Sequence, residues 1–201
     1  MKKVIAAGVL LVSVFVAPIA NADPFVDGVY AAERGDHATA LKLWTPLAQQ
    51  GDRLAQYNLA LMYQKGKGVP QNYSEAFKWY KLSAHKGFAK AQYNLALMYQ
   101  EGKGVPQNYS EAFKWYRLAA QQGFASAQSN LGALYGMGRG VPQNAVKAHM
   151  WINLAASVAS DDDKISLVAR DAVAKFMTPA QIAEAQALAA KCQASNYKNC
   201  D

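Results

Sequence analysis

The sequence predicts an all-α solenoid of stacked helix pairs with capping helices at both ends, and three observations carry that prediction. A 36-residue unit is written twice almost unchanged: Ala55–Tyr80 and Ala91–Tyr116 agree at 25 of 26 positions and differ only at Lys65 and Glu101. A more worn copy follows in register, keeping Gly123, Ala127, Gln128, Asn130, Leu131, Tyr135, Gly138, Gly140 to Asn144, Ala148 and Trp151. Within each unit, apolar residues recur at helical spacing on either side of a Gly/Pro loop. A fixed period of roughly 20 to 50 residues marks an array in which each unit buries its apolar face against the next.

The chain divides into residues 1–22, 23–50, 51–158 and 159–201. The first segment reads as a cleaved signal peptide: Lys2 and Lys3 precede an apolar stretch from Val4 to Ala17, and Ala20-Asn21-Ala22 is an A-x-A cleavage site. The stretch is shorter than the ~20 residues a spanning helix needs. The mature chain is therefore expected in the periplasm or outside the cell, without stable membrane insertion. Loss of the two leader lysines lowers the net charge from +7 to +5. The basic residues are dispersed and form no stripe, which argues against a nucleic-acid partner.

Residues 23–50 read as a degenerate helical pair that caps the array, with Pro46 expected to bend its second helix or end it early. The three units occupy 51–86, 87–122 and 123–158. In the first helix of each, Ala55, Leu59, Met62 and Tyr63 set the apolar face. In the second, Ala76, Trp79, Tyr80, Ser83 and Ala84 do so, with the aromatic pair filling the gap to the neighbouring unit. Gly66 is placed to end the first helix in the left-handed conformation, and Gly68 to allow the next bend. Asn72 with Glu75, and Asn108 with Glu111, have capping-box spacing; the third unit keeps Asn144 but has Lys147.

After Val158 the repeat dissolves. Asp161 to Asp163 open a helix to about Lys175, and Thr178-Pro179-Ala180-Gln181 opens another. Leu167, Ala174, Ile182, Ala185 and Leu188 are expected to cover the end of the array, with Ser195 to Asp201 a loose tail. Cys192 and Cys200, the only cysteines, suit a staple from that tail to the last helix in an oxidising compartment.

The unit A-x-x-x-L-x-x-x-Y-x-x-G-x-G-V-x-x-N, with A-x-x-W and paired alanines before the closing glycine, resembles the Sel-1-like repeat, a relative of the tetratricopeptide repeat. The MTPAQIAEAQALA stretch is similar to the last helix of short bacterial members. The family usually has Gly after the Leu, as at Gly132; Ala60 and Ala96 stand there in the first two units and imply slightly wider helix spacing. The resemblance implies a right-handed superhelix whose first helices line a concave face, and a scaffolding or regulatory role as an adaptor for proteins or peptides.

A second stripe on the first helices is the candidate partner-binding site: Tyr57, Leu61 and Gln64, then Tyr93, Leu97 and Gln100. Gln56, Gln92, Gln128 and Ser129 lie beside it or at matching positions. Tyr and Leu at i, i+4 and i+7 give large contact area on one helix face. The other reading is that these side chains pack on adjacent helices. Asn58, Asn94 and Asn130 are read as bonding backbone of a neighbouring turn. No cofactor or metal is expected: His37, His85 and His149 are far apart, and Asp161 to Asp163 suit a helix start. The alternative function is an enzyme or binder of cell-wall or β-lactam chemistry on the same scaffold. Ser83-Ala84-His85-Lys86 matches S-x-x-K, but its companion motifs are missing, and Ala119 replaces Ser83 in the next copy. The cysteine-rich relatives linked to β-lactam hydrolysis carry a cysteine pair in each unit, whereas these units have none. Oligomeric state is not legible in the sequence.

Overall fold

A computed structural model of the protein describes residues 23–158, 164–198 and 200. The signal-peptide segment 1–22 and the helix start at Asp161 to Asp163 lie outside them. Among the described residues the chain forms ten α-helices and no strand. They are α1 (Pro24–Glu33), α2 (His37–Gln49), α3 (Arg53–Lys65), α4 (Tyr73–His85), α5 (Ala89–Glu101), α6 (Tyr109–Ala120), α7 (Ala125–Met137), α8 (Ala145–Ser157), α9 (Lys164–Ala174) and α10 (Pro179–Ala194). Each helix packs on the next from α1 to α8, and both α9 and α10 pack on α8. This is the α/α solenoid that the period predicts.

Small residues lie at the crossings. Ala55, Ala76, Ala91, Ala112, Ala127 and Ala148 are each fully buried, which lets the helix axes approach closely. Leu59, Leu95 and Leu131 fill the first helices, and Tyr80 and Tyr116 the second. Trp79 and Trp115 are half-buried and bridge the apolar clusters of adjacent units, as the aromatic pairing predicts. Pro46 does not end α2 early: the helix runs on to Gln49, held by burial of Trp44 and Ala48 on either side of the proline.

The loops repeat their helix ends and caps. Gly66, Gly102 and Gly138 end α3, α5 and α7 with φ near +67°, +70° and +65°. Gln71, Gln107 and Gln143 each turn an Nε2 back to the carbonyl seven residues earlier, at 2.8, 2.7 and 2.8 Å. Asn72, Asn108 and Asn144 cap the second helices by accepting from the N–H three residues on. The reciprocal half of the expected capping box is not made. Glu75 and Glu111 pair instead with Lys78 and Lys114 at 2.6 Å, one helical turn ahead. The full box forms at α10, between Thr178 and Gln181.

The small residue after the Leu is buried in every unit. A methyl at Gly132 would lie 2.8 Å from Ala148 O, closer than real side chains approach, whereas Ala60 and Ala96 carry that methyl in full burial. At Gly132 the α7 backbone thus approaches α8 more closely than a side chain there would allow. At the C-terminal end, Ala185, Ala189 and Cys192 are the buried cover, with Leu188 half-buried. Leu167, expected in that cover, is exposed. The segment after α10 is tied down where a loose tail is expected. Cys192 and Cys200 are joined and buried, and the Tyr197 ring lies against Gly123 at the α6–α7 turn.

One buried titratable group gives the stability a pH dependence. His149 occupies the place of Phe77 and Phe113, 3% exposed, with Nδ1 unpartnered. Burial, and then the Arg170 charge, hold its pKa below the ordinary 6.5, against a smaller opposite effect of Asp171. The unfolded chain thus takes up a proton where the folded chain resists it, so stability falls as pH drops below about 6.5, at up to ~1.4 kcal/mol per pH unit. Substituting His149→Phe is expected to remove that component of the slope in denaturant titrations.

Candidate functional site

The stripe on the first helices is where the sequence places a partner, and the structure sorts its members by depth. Gln56, Gln92 and Gln128 are 3%, 4% and 0% exposed. Each donates from Nε2 to the last buried alanine carbonyl of the preceding second helix, namely Ala48, Ala84 and Ala120, at 3.0, 3.2 and 3.3 Å. Gln92 also accepts from Gln122 at 2.7 Å. These glutamines join one unit to the one before it and offer no surface.

Tyr57 and Tyr93 are half-buried. The Tyr57 ring meets Phe88 edge-on at 5.0 Å and Tyr80 at 5.8 Å; Tyr93 meets Phe124 at 5.2 Å, tilted, and Tyr116 at 5.8 Å. Their hydroxyls, with those of Tyr80 and Tyr116, lie by Asn94 and Asn130 of the following unit. The asparagines thus face tyrosine hydroxyls across the unit boundary, where a turn's backbone is the expected partner. Burial pushes all four tyrosines up, so they remain neutral hydrogen-bonding groups. Gln64 accepts from Tyr80 at 2.6 Å. Leu61, Leu97, Gln64 and Gln100 are partly exposed. The face that remains accessible is thus a ladder of aliphatic and amide side chains set between tyrosine edges.

The third unit treats the same face differently. Positions equivalent to Tyr57, Leu61 and Gln64 are Ser129, Ala133 and Gly136. Over these truncated positions passes α9, whose Ser166 Oγ lies 2.9 Å from Ser129 Oγ. Between α7, α8 and α9 a cleft of about 570 Å³ remains, lined by Ala133, Gly136, Ile152, Ala172 and Phe176. Sequence reasoning missed this. The signal was the loss of bulk at three stripe positions in one copy, legible only once α9 is seen to lie there.

A second cleft, of about 290 Å³, opens at the other end between α1 and α3. Leu61 lines it together with Val29, Trp44, Met62, Lys65 and Lys67. Ser83, the nucleophile position of the S-x-x-K match, is fully buried and donates to Arg53 O at 2.7 Å. Among the described residues, no three His, Cys, Asp or Glu side chains are grouped to hold a metal ion, and no helix is long and apolar enough to cross a membrane.

An all-helical array of 36-residue helix pairs, with a repeated half-exposed ladder on its first helices, defines a repeat scaffold. The chain belongs to the Sel1 repeat family, whose members are generally protein-interaction scaffolds: the family model matches residues 53–88, 89–124 and 125–158. A solved Sel1 repeat protein from Oxalobacter formigenes is 30% identical, covering 86% of this chain and 77% of that one, with a TM-score of 0.65. A protective antigen present in uropathogenic Escherichia coli strains, displaying an SLR fold, is 27% identical with a TM-score of 0.60. That alignment covers 87% of this chain and 46% of the antigen, so the chain spans less than half its length. No curated protein matches the chain.

Proposed function

We propose that the protein is an exported, non-catalytic repeat scaffold that holds a protein or peptide partner along the face of its first helices. The observation that carries this reading is the third unit, where that face is cut back to Ser129, Ala133 and Gly136 and one of the chain's own helices lies across it. A face that accommodates α9 at one end has the shape to take a partner segment beside Leu61 and Leu97, where it is uncovered. Export is supported by the n-region, apolar stretch and A-x-A site of residues 1–22, and by the Cys192–Cys200 bridge, which persists in an oxidising compartment. The engaged hydroxyl of Ser83 speaks against a serine hydrolase on the same scaffold.

The test is site-specific photo-crosslinking in cells. A photoreactive side chain at Leu61 or Leu97 is expected to capture the same partner, while one at exposed Leu82 or Leu118 on the second helices captures none. Equal capture from both faces would overturn the reading, as would turnover of a chromogenic β-lactam by the purified chain.

A further inference from the structure

The two nearly identical units provide an internal control on charge. Glu101 closes α5 and pairs with Lys103 at 2.8 Å, while the Lys103 ammonium also lies 5.8 Å from the centre of the Tyr73 ring. The matching pair in the preceding unit is Lys65 and Lys67, two like charges, and this is the one difference in 26 positions. Both lysines line the cleft between α1 and α3. Neither has a carboxylate within ion-pair distance among the described residues, although Glu33 lines the same cleft. A lysine suits a helix end, but Glu101 holds the same place in α5, so the helix end does not dictate the choice.

The cleft itself has an apolar floor and a basic edge. Val29, Trp44, Leu61 and Met62 form the apolar part. Its volume of about 290 Å³ exceeds the ~150 Å³ of an engineered cavity that takes up benzene, so a large apolar side chain fits. Trp44 is held rigidly, its Nε1 donating to Phe25 O at 3.1 Å and its ring lying against Gly28, where no side chain would fit. A preformed apolar slot whose rim carries two lysines against the single carboxylate of Glu33 is complementary to an apolar group carrying negative charge alongside.

From this we infer that the α1–α3 cleft is a recognition site for an acidic peptide segment, with a Phe- or Leu-sized side chain against Val29 and Leu61, over the buried Trp44 and Met62, and a neighbouring carboxylate on Lys65 and Lys67. The inference rests on the scaffold reading above and names the chemistry of one end of that face. It also gives the array a polarity. The α1 end takes the acidic anchor, the middle presents the Leu61 and Leu97 ladder, and the far end faces α9 across the larger cleft.

The test uses the purified full chain and short fluorescein-labelled peptides, each with a central Phe flanked on both sides by aspartate, by serine or by lysine. Fluorescence anisotropy is expected to rank them aspartate, serine, lysine, with the preference shrinking as salt is raised. Lys65→Glu installs at an exposed helix end the residue that the next unit already carries at the equivalent position of a near-identical helix, so the fold is expected to be retained by circular dichroism. That variant should lose about threefold to tenfold of its affinity for the aspartate-flanked peptide at low salt, since one exposed attraction is replaced by a repulsion. Glu101→Lys, away from the cleft, should leave affinity unchanged. Indifference to flanking charge, or unchanged affinity in Lys65→Glu, would overturn the inference. If no peptide binds while a photoreactive group at Leu97 still captures a partner, the acidic-anchor assignment fails and the scaffold reading stands; failure of both removes both.

Discussion

Substituting Gly104→Ala is expected to destabilise the protein by about 3 kcal/mol or more, the sum of a left-handed backbone penalty and an overpacking term. Gly104 has φ +73°, and a Cβ there would collide with the Tyr73 carbonyl and lie 2.9 Å from Ser74 N. Those atoms are backbone at the start of α4, so relief requires the α5–α6 loop to lift from the preceding unit. Gly102 supplies the control two residues away. Its φ of +70° is equally left-handed, yet the nearest atom to its missing Cβ is Gln107 Cβ of the same loop, at 3.4 Å. Gly102→Ala should therefore show the conformational penalty of ~1–2 kcal/mol alone. Guanidinium unfolding midpoints of the two variants separate the effects. Equal losses would mean that the loop does not bear on the neighbouring unit. Gly140, which meets Tyr109 in the same way, predicts the same result one unit on.

This contact also marks what a sequence can and cannot disclose in such an array. The 36-residue period, the left-handed helix end at Gly66 and the cap at Asn72 follow from local chemistry, and each is legible from residue types at short spacing. The second loop glycine reads as a bend residue, and it is one. Its tighter constraint comes from a backbone 31 residues earlier, which appears only when units are stacked. The burial of Gln56, Gln92 and Gln128 is hidden from the sequence for the same reason. A glutamine beside a tyrosine stripe suits an interface, and nothing local says that a carbonyl of the preceding unit waits for its amide. Glu75 had the right spacing for a capping box, but Lys78 one turn ahead offered a charged partner in place of a backbone N–H. Of the candidate site, the ladder at Leu61 and Leu97 was legible from helical spacing. The cleft beside α1 was not, because it depends on how the opening helix pair seats on α3.

The repeat also predicts that its three tryptophans are not equivalent. Trp79 and Trp115 are half-buried in the gaps between units, whereas Trp151 is fully buried, in a cluster with Ala185, Ala189 and Cys192 of α10. In an array that simply ended at α8, its last tryptophan would stand as exposed as the others or more so. The C-terminal cover takes the place of a fourth unit, and Trp151 is the side chain it seals. Truncating Trp151→Ala is therefore expected to lower stability by ~3–5 kcal/mol, the range for a buried large-to-small change, and Trp115→Ala by distinctly less. Trp151→Phe should be the mild variant. Trp151 Nε1 is buried with no hydrogen-bond partner among the described residues, so the loss of ring volume is offset by removal of an unsatisfied donor worth ~1–3 kcal/mol. Denaturant midpoints ordered with Trp151→Ala lowest, Trp115→Ala above it and Trp151→Phe nearest the parent would place the closing interface of the solenoid between α8 and α10. If the two alanine variants lose equal stability, α10 covers the end without sealing it, and the array would be held by its internal unit contacts alone.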